Sequence, residues 1–317
     1  MPSSIQRFIV DQFIVLMVAA FIIGMLFQPL AAALNPVILY LIMTVMYLSF
    51  LKMDFHLLSD EIKQWPIHLY LAITTLMIVP ALVFYLCRFV LDLIGLDTTY
   101  AVGSLLLFSA PTAVLAATFT LLLKGKFERS LLSMVVTSFL APLTMPFMLS
   151  SVAGSYVEFD YGLLTKTLFM VIVVPFLAAT LTIKLFPKVK GIMSPQIPSI
   201  SVILLVLVKV GALAGFRDII FNDIGQFFSL LLLSFALLIV VFIFGWFTLW
   251  WASGIDKITT GLITTWSNMG LALGIGNMLF KDTDPEVVLF LTVAVLPWHL
   301  SLVLVKMLAR KVVVNSP

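Results

Sequence analysis

Apolar residues run along this chain in long blocks, and charged or Pro/Gly-rich stretches separate them. A helix needs about 20 mostly apolar residues to cross a bilayer. Ten blocks of that kind stand at roughly 8–27, 36–52, 66–87, 99–123, 130–150, 164–186, 198–216, 226–251, 258–280 and 287–309. They are too long for barrel strands and lack the polar/apolar alternation of one. The pattern predicts an all-α polytopic membrane protein with ten transmembrane helices. The segment 53–65 (MDFHLLSDEIKQW) is too polar to span and reads as a connection lying on the membrane surface. Residues 13–27, followed by Ala31-Ala32-Ala33, could instead be a signal peptide. Asp11 and Gln12 directly ahead of the block, with Arg7 as the one basic residue there, favour a retained first span.

Five spans per half is an odd number, so two related halves (1–155 and 156–317) would sit upside-down relative to each other. That is the inverted-repeat plan of many secondary transporters. An offset of about 155 residues supports it. It lays the fourth block (FSAPTAVLAATFTLLLKGK, 108–126) on the ninth (TTWSNMGLALGIGNMLF, 264–280), and Ala141-Pro142 on Leu296-Pro297. The fourth and ninth blocks share an oddity. Pro111, flanked by Ser109 and Thr112, cannot donate a helix hydrogen bond. Thr264, Thr265, Ser267 and Asn268 precede Gly270, Gly274 and Gly276. A single Pro or Gly merely kinks a span, but matched breaks in corresponding spans point to a binding site between broken, crossing helices 4 and 9.

Composition fits this picture. Hydrophobic residues make up 62% and charged residues 10% of the 317, against roughly 45–50% and 25% for soluble domains. A soluble globular protein, a disordered chain and a basic-patch nucleic-acid binder are excluded. The basic residues orient the chain. Arg7, Lys52, Lys63, Lys124, Lys126, Arg129, Lys184, Lys188, Lys190, Lys257, Lys306, Arg310 and Lys311 fall on one side, and Arg88, Lys166, Arg217 and Lys281 on the other. Both termini are therefore expected to be cytoplasmic, in the cytoplasmic membrane. The single cysteine, Cys87, excludes a disulfide framework and a Cys-based metal site.

Ionisable residues at membrane depth are costly and usually functional. No span centre contains Asp or Glu, which removes the buried carboxylate of many cation-coupled carriers and the paired acids of intramembrane aspartyl proteases. His56, His68 and His299 are scattered, so no zinc site is expected, and nothing suggests a membrane enzyme. Two basic residues do lie within spans. Lys209, in ISVILLVLVKVGALAG, either snorkels to the interface or faces a cavity. His299, in VLPWHLS, either lines a polar cavity or bonds to a neighbouring helix.

These residues resemble the bile acid:sodium symporter family, within the group that includes arsenite and auxin-type carriers. LIMTVMYLSFLKMDF (41–55) resembles that family's second span and SAPTAVLAATFTLLLKGKFERSL (109–131) its fourth. WSNMGLALG (266–274) resembles its ninth and LPWHLS (296–301) its tenth. The resemblance implies a core of spans 3–5 and 8–10 against a panel of spans 1, 2, 6 and 7, with organic anions as substrates. It also places the family's sodium ligands. Aligned on Pro111 and Gly125, a Ser-Asn pair falls on Ala116 and Ala117, and two fifth-span hydroxyls on Ser130 and Met134. A Glu shared by both sodium sites falls on Ile263, and two Gln positions on Thr75 and Ser267. Hard cations need oxygen ligands, so sodium coupling is not expected, nor is any other cofactor. The arsenite carriers' fourth-span Cys has no counterpart, since Cys87 lies in the third span.

The sequence therefore predicts a secondary transporter for a small, carboxylate-type organic anion, with the bilayer and the solute as its partners. Half-helix N-termini would supply the positive ends. Thr112, Ala113, Ser267, Asn268 and His299 are the expected cavity residues, with Lys209 as an outlying candidate. Coupling would be absent, proton-linked through His299 or Lys209, or sodium-linked through other ligands. The alternatives are an auxin-efflux-type carrier and a non-transporting sensor or scaffold on the same fold. A soluble signalling domain would be expected of a sensor, and only a few residues follow Arg310.

Overall fold

A computed structural model of the chain describes residues 6, 8–9, 12–53 and 59–314, with 59–60 and 302–314 described by backbone alone. Asp11 and His56, and the side chains of Arg7, Lys306, Arg310 and Lys311 used above for orientation, lie outside that description.

The described chain is helical throughout and has no strand, only one isolated β-bridge. We number its principal helices α1 (Phe13–Leu26), α2 (Gln28–Lys52), α3 (Trp65–Leu93), α4 (Tyr100–Ser109), α5 (Val114–Leu122), α6 (Phe127–Ala153), α7 (Tyr161–Leu185), α8 (Ile197–Ala212), α9 (Ile224–Thr248), α10 (Gly254–Thr265), α11 (Met269–Phe280) and α12 (Pro285–Val314). Every apolar block of the sequence contains helix. The count of full spans differs from the ten expected, however. Five helices (α2, α3, α6, α7 and α9) are long and apolar enough to cross a membrane unaided. A sixth joins them if Pro187–Met193 and α8, bent by 72°, form one span. Helix geometry explains the shortfall. The 14 residues of α1 rise only about 21 Å against a hydrocarbon core of about 30 Å. The fourth and ninth blocks are each split into two short helices, α4 with α5 and α10 with α11. Hydropathy along a chain records apolar length and is blind to a break that keeps its apolar character.

Prolines shape the long helices. Pro80 in α3 follows a π-turn at Thr74–Ile78, and Pro142 and Pro146 in α6 precede another at Leu149–Ala153. A proline offers no N–H to the preceding turn, and a widened turn is one way the ladder absorbs that loss.

Packing is dense where the broken helices lie. Helix α3 packs on α4 and α9 on α10; α12 packs on α4 and α6 on α10; α5 packs on α6 and α11 on α12. Outside these, α7 lies against α2, and α8 against α1 and α2. Glycine permits the closest approach. A methyl group at Gly103 of α4 would stand 2.6 Å from the Val287 carbonyl oxygen and 2.9 Å from Phe290 Cβ, both on α12. Gly191 has nothing within 4 Å of that position. Gly103→Ala should therefore cost about 1–3 kcal/mol through overpacking, while Gly191→Ala should be neutral or slightly stabilising. Thermal unfolding of the two purified variants checks this. Equal melting temperatures would contradict the α4–α12 contact.

Candidate functional site

The two broken spans meet at their breaks. Helix α4 ends at Ser109, and Ala110 is extended (φ −67°, ψ 147°), the conformation that a following proline imposes on its neighbour. Ala113 is likewise extended (φ −75°, ψ 153°) before α5 begins. On the other chain segment α10 ends at Thr265, and Trp266, Ser267 and Asn268 lead into α11. Thr112 and Ser267 form an antiparallel bridge. Around it the Ala113 N–H donates to the Trp266 carbonyl at 2.7 Å, and the Asn268 N–H donates to the Pro111 carbonyl at 2.7 Å. The 155-residue offset exchanges these two bonds, since it carries Pro111 to Trp266, Thr112 to Ser267 and Ala113 to Asn268. Each break supplies the partners that the other lacks, as backbone away from water requires.

The expected cavity residues divide by role. Thr112 is buried, and its hydroxyl donates to the Ile263 carbonyl at 3.2 Å while its N–H donates to Thr137 Oγ1 at 3.1 Å. It is thus committed to holding the crossing together. Ser267 is also buried, but its hydroxyl has no hydrogen-bond partner. Asn268 is half-buried and caps α11, accepting from the Leu271 N–H at 3.1 Å, and its amide nitrogen lies 3.4 Å from Met46 Sδ on α2. Ala113 is half-buried at the open N-terminal end of α5. The ends of α5 and α11 both begin at this crossing, and helix N-termini carry partial positive charge.

Lys209 and His299 come together. Lys209 Nζ lies 2.7 Å from His299 Nε2 and 3.1 Å from Nδ1, with both residues buried. His299 Nδ1 is 2.6 Å from the Val295 carbonyl, and the Phe13 ring stands 5.5 Å from the imidazole. The pair sits beside the crossing rather than in it. Leu205 of α8 is a near neighbour of Gly270, and Lys209 is four residues further along, about 6 Å by helical rise. Trp266 and Trp298 pack against Phe119 and Phe108 at 5.2 and 5.4 Å.

At the positions where the family resemblance puts sodium ligands, Ala116, Ala117, Met134 and Ile263 are buried and offer no side-chain oxygen. Thr75, Ser130 and Ser267 are buried hydroxyls without partners. Thr75 lies in the π-turn of α3, which packs against α6 and α10. Among the described residues no three His, Cys, Asp or Glu cluster as metal ligands.

One polar cluster is absent from the sequence expectations. Arg129, 2% exposed at the start of α6, donates to Asp256, to Glu61 Oε2 at 3.2 Å and to Gln64 Oε1 at 2.8 Å. Glu61 Oε2 also meets His68 Nε2 at 3.1 Å, and Asp256 takes Lys126 Nζ at 2.8 Å and Ser253 Oγ at 2.7 Å. The cluster ties the starts of α3, α6 and α10 together at one end of the bundle. Its signal was available, since Glu61, Arg129 and Asp256 all fall in connections assigned to the same side. Burial of the Asp256 carboxyl pushes its pKa up. Hydrogen bonds from Lys126 and Ser253 and the Arg129 and Lys126 charges outweigh that, so it stays below the ordinary value. A depressed carboxylate pKa adds stability that is present above the unfolded value and lost as pH falls through the folded one. Melting temperature should hold from neutral pH to about 4 and fall below it. Asp256→Asn should lower it at neutral pH and shrink the acid-side loss. An acid-side loss of unchanged size in the variant would show that Asp256 is not the titrating group.

The family described as the Sodium Bile acid symporter family matches residues 36–223. The matched stretch covers more than half of the chain and runs from α2 past α8, including the Pro111 break. No curated protein matches the chain at comparable significance.

Proposed function

Because the chain belongs to the sodium bile acid symporter family, a family of membrane transporters, we propose that it is a secondary transporter that moves a small carboxylate-type organic anion by alternating access. The observation that carries this is the crossing. Two helices break at membrane depth, satisfy each other's backbone, and leave the N-terminal ends of α5 and α11 beside Ala113, Asn268 and the unpartnered Ser267 hydroxyl. Oriented N–H groups and a positive helix end suit a carboxylate.

The packing supports ten membrane passages in two inverted five-helix repeats. The offset that exchanges the two crossing bonds also exchanges α3–α4 with α9–α10, α4–α12 with α10–α6, and α6–α5 with α12–α11. The remaining contacts, α7 on α2 and α8 on α1, suit a panel of spans 1, 2, 6 and 7 against a core of spans 3–5 and 8–10. With the basic side inward, both termini face the cytoplasm.

Sodium is a poor fit as the coupling ion. Three hydroxyls remain where the family resemblance places ligands, and Ile263 stands where it places the shared carboxylate. Neutral hydroxyls alone are weak replacements for an ion's hydration shell and supply no compensating charge.

Proteoliposomes offered radiolabelled pyruvate, succinate and cholate test the proposal. Wild type should take up at least one. Asn268→Leu removes both the amide and the α11 cap, while Asn268→Asp keeps a cap and sets a negative charge against the anion. Both should cut uptake by at least about tenfold, the equivalent of 1.4 kcal/mol. Unaltered uptake in the Asp variant would remove the crossing as the site.

A further inference from the structure

The Lys209–His299 contact joins two basic side chains with no acid between them. No described Asp or Glu lies on the elements packed around the pair. Helices α1, α5, α9 and α11 have no Asp, Glu, Lys, Arg, His or Tyr at all. Helix α2 contributes Tyr40, which is exposed, Tyr47, which is bonded to Thr182, and Lys52 at its exposed end. Tyr100 lies at the far start of α4, and Glu286 is thirteen residues from His299, about 20 Å along α12. A buried lysine without a counter-ion is expensive. Among the described residues its strong polar partner is an imidazole.

Hydrogen-bond roles fix how many protons this pair can hold. The Val295 carbonyl can only accept, so His299 Nδ1 donates to it and Nε2 is left with a lone pair. Lys209 Nζ stands 2.7 Å from Nε2 and 3.1 Å from Nδ1, so it lies against the ring rather than along that lone pair. With one charge or none on the pair, no two positive groups face each other. With a second proton on the pair, donor faces donor and two positive charges meet in a low-dielectric interior. Lys209 also lines a small cavity with Thr292, Ala212, Phe21 and Leu273. Thr292 is 2% exposed, and its hydroxyl has no partner, although its counterpart in the 155-residue offset, Thr137, is fully bonded. The cavity measures about 10 Å³, close to room for one water.

We infer that Lys209 and His299 form a single proton-binding site that clasps α8 to α12 and opens when a second proton is bound. The second proton adds to His299 Nε2, whose electron pair forms the new N–H bond, and the imidazolium and ammonium then repel each other at contact distance. This deepens the carrier reading and rests on it. If α8 moves with the panel and α12 with the core, proton uptake and release accompany that movement, and the proton takes the place of sodium.

Full-length protein with ¹⁵N-labelled histidine in lipid nanodiscs tests the site without any solute. The chain has three histidines, and His299→Gln identifies the relevant signal. At neutral pH the ring should carry its proton on Nδ1 with Nε2 bare, and acid should protonate Nε2. In a Cys87→Ser background, cysteines placed at Ala212 and Thr292 report the seam through a short cross-linker with two thiol-reactive ends. Yield should fall at least about fivefold over the pH interval in which Nε2 is protonated, and Lys209→Met should hold it within about twofold. A protonated Nε2 at neutral pH overturns the inference. So does an acid-induced fall in Lys209→Met equal to that in the parent, or no cross-link at neutral pH. None of these results touches the carboxylate uptake assay, so the carrier reading would stand or fall separately.

Discussion

The structure depends on one constraint. Backbone N–H and C=O groups inside a bilayer have no water to turn to, so a helix can break at membrane depth only where something else satisfies it. Here the something else is a second broken helix. The bonds from Ala113 to Trp266 and from Asn268 to Pro111, both 2.7 Å, close the two gaps against each other. Thr112 braces the crossing through Ile263 and Thr137. Helices α3, α6, α9 and α12 pack around the four half-helices, and the cluster centred on Arg129 ties α3, α6 and α10 at one end.

Where that symmetry fails is as informative as where it holds. The 155-residue offset pairs Thr112 with Ser267 and Thr137 with Thr292. In the first half both hydroxyls are bonded; in the second neither is. A buried hydroxyl without a partner costs free energy. In a membrane protein such groups collect where a solute, an ion or water is handled. Unpartnered hydroxyls stand in both halves, at Thr74, Thr75, Ser109, Ser130 and Ser133 as well as at Ser267 and Thr292.

Much of this was legible in the sequence, and the remainder was hidden for physical reasons. Apolar block length located the twelve principal helices, because the bilayer sets that length. Pro111 marked the first break, because proline removes a donor and forces Ala110 into an extended conformation. A polar patch ending in Ser267 and Asn268, followed by Gly270, Gly274 and Gly276, marked the second, and the offset matched it to Thr112 and Ala113. Of the ten spans expected, with the fourth and ninth broken, five or six are helices long and apolar enough to cross a membrane unaided. Thr112 read as a cavity residue, although its hydroxyl serves the backbone of α10. That role depends on α10 lying alongside, a contact 151 residues away in sequence. Lys209 and His299 each stood out as a charge or titratable group at membrane depth, but their 2.7 Å contact joins residues 90 apart. The Arg129 cluster was missed because each member, taken alone, sits in a connection where a solvated charge is the ordinary outcome.

The central claim is that the crossing binds a carboxylate through helix ends and amide groups, without a sodium site. The most direct measurement is the melting temperature of the purified protein with small carboxylates, in sodium and in potassium buffers matched for ionic strength. Ligand that binds the folded state raises it, by about 2.7 kcal/mol of added stability at a hundredfold excess over Kd. A carboxylate that stabilises the protein equally in both buffers is the predicted result. Stabilisation by sodium alone, or by a carboxylate only when sodium is present, would contradict it.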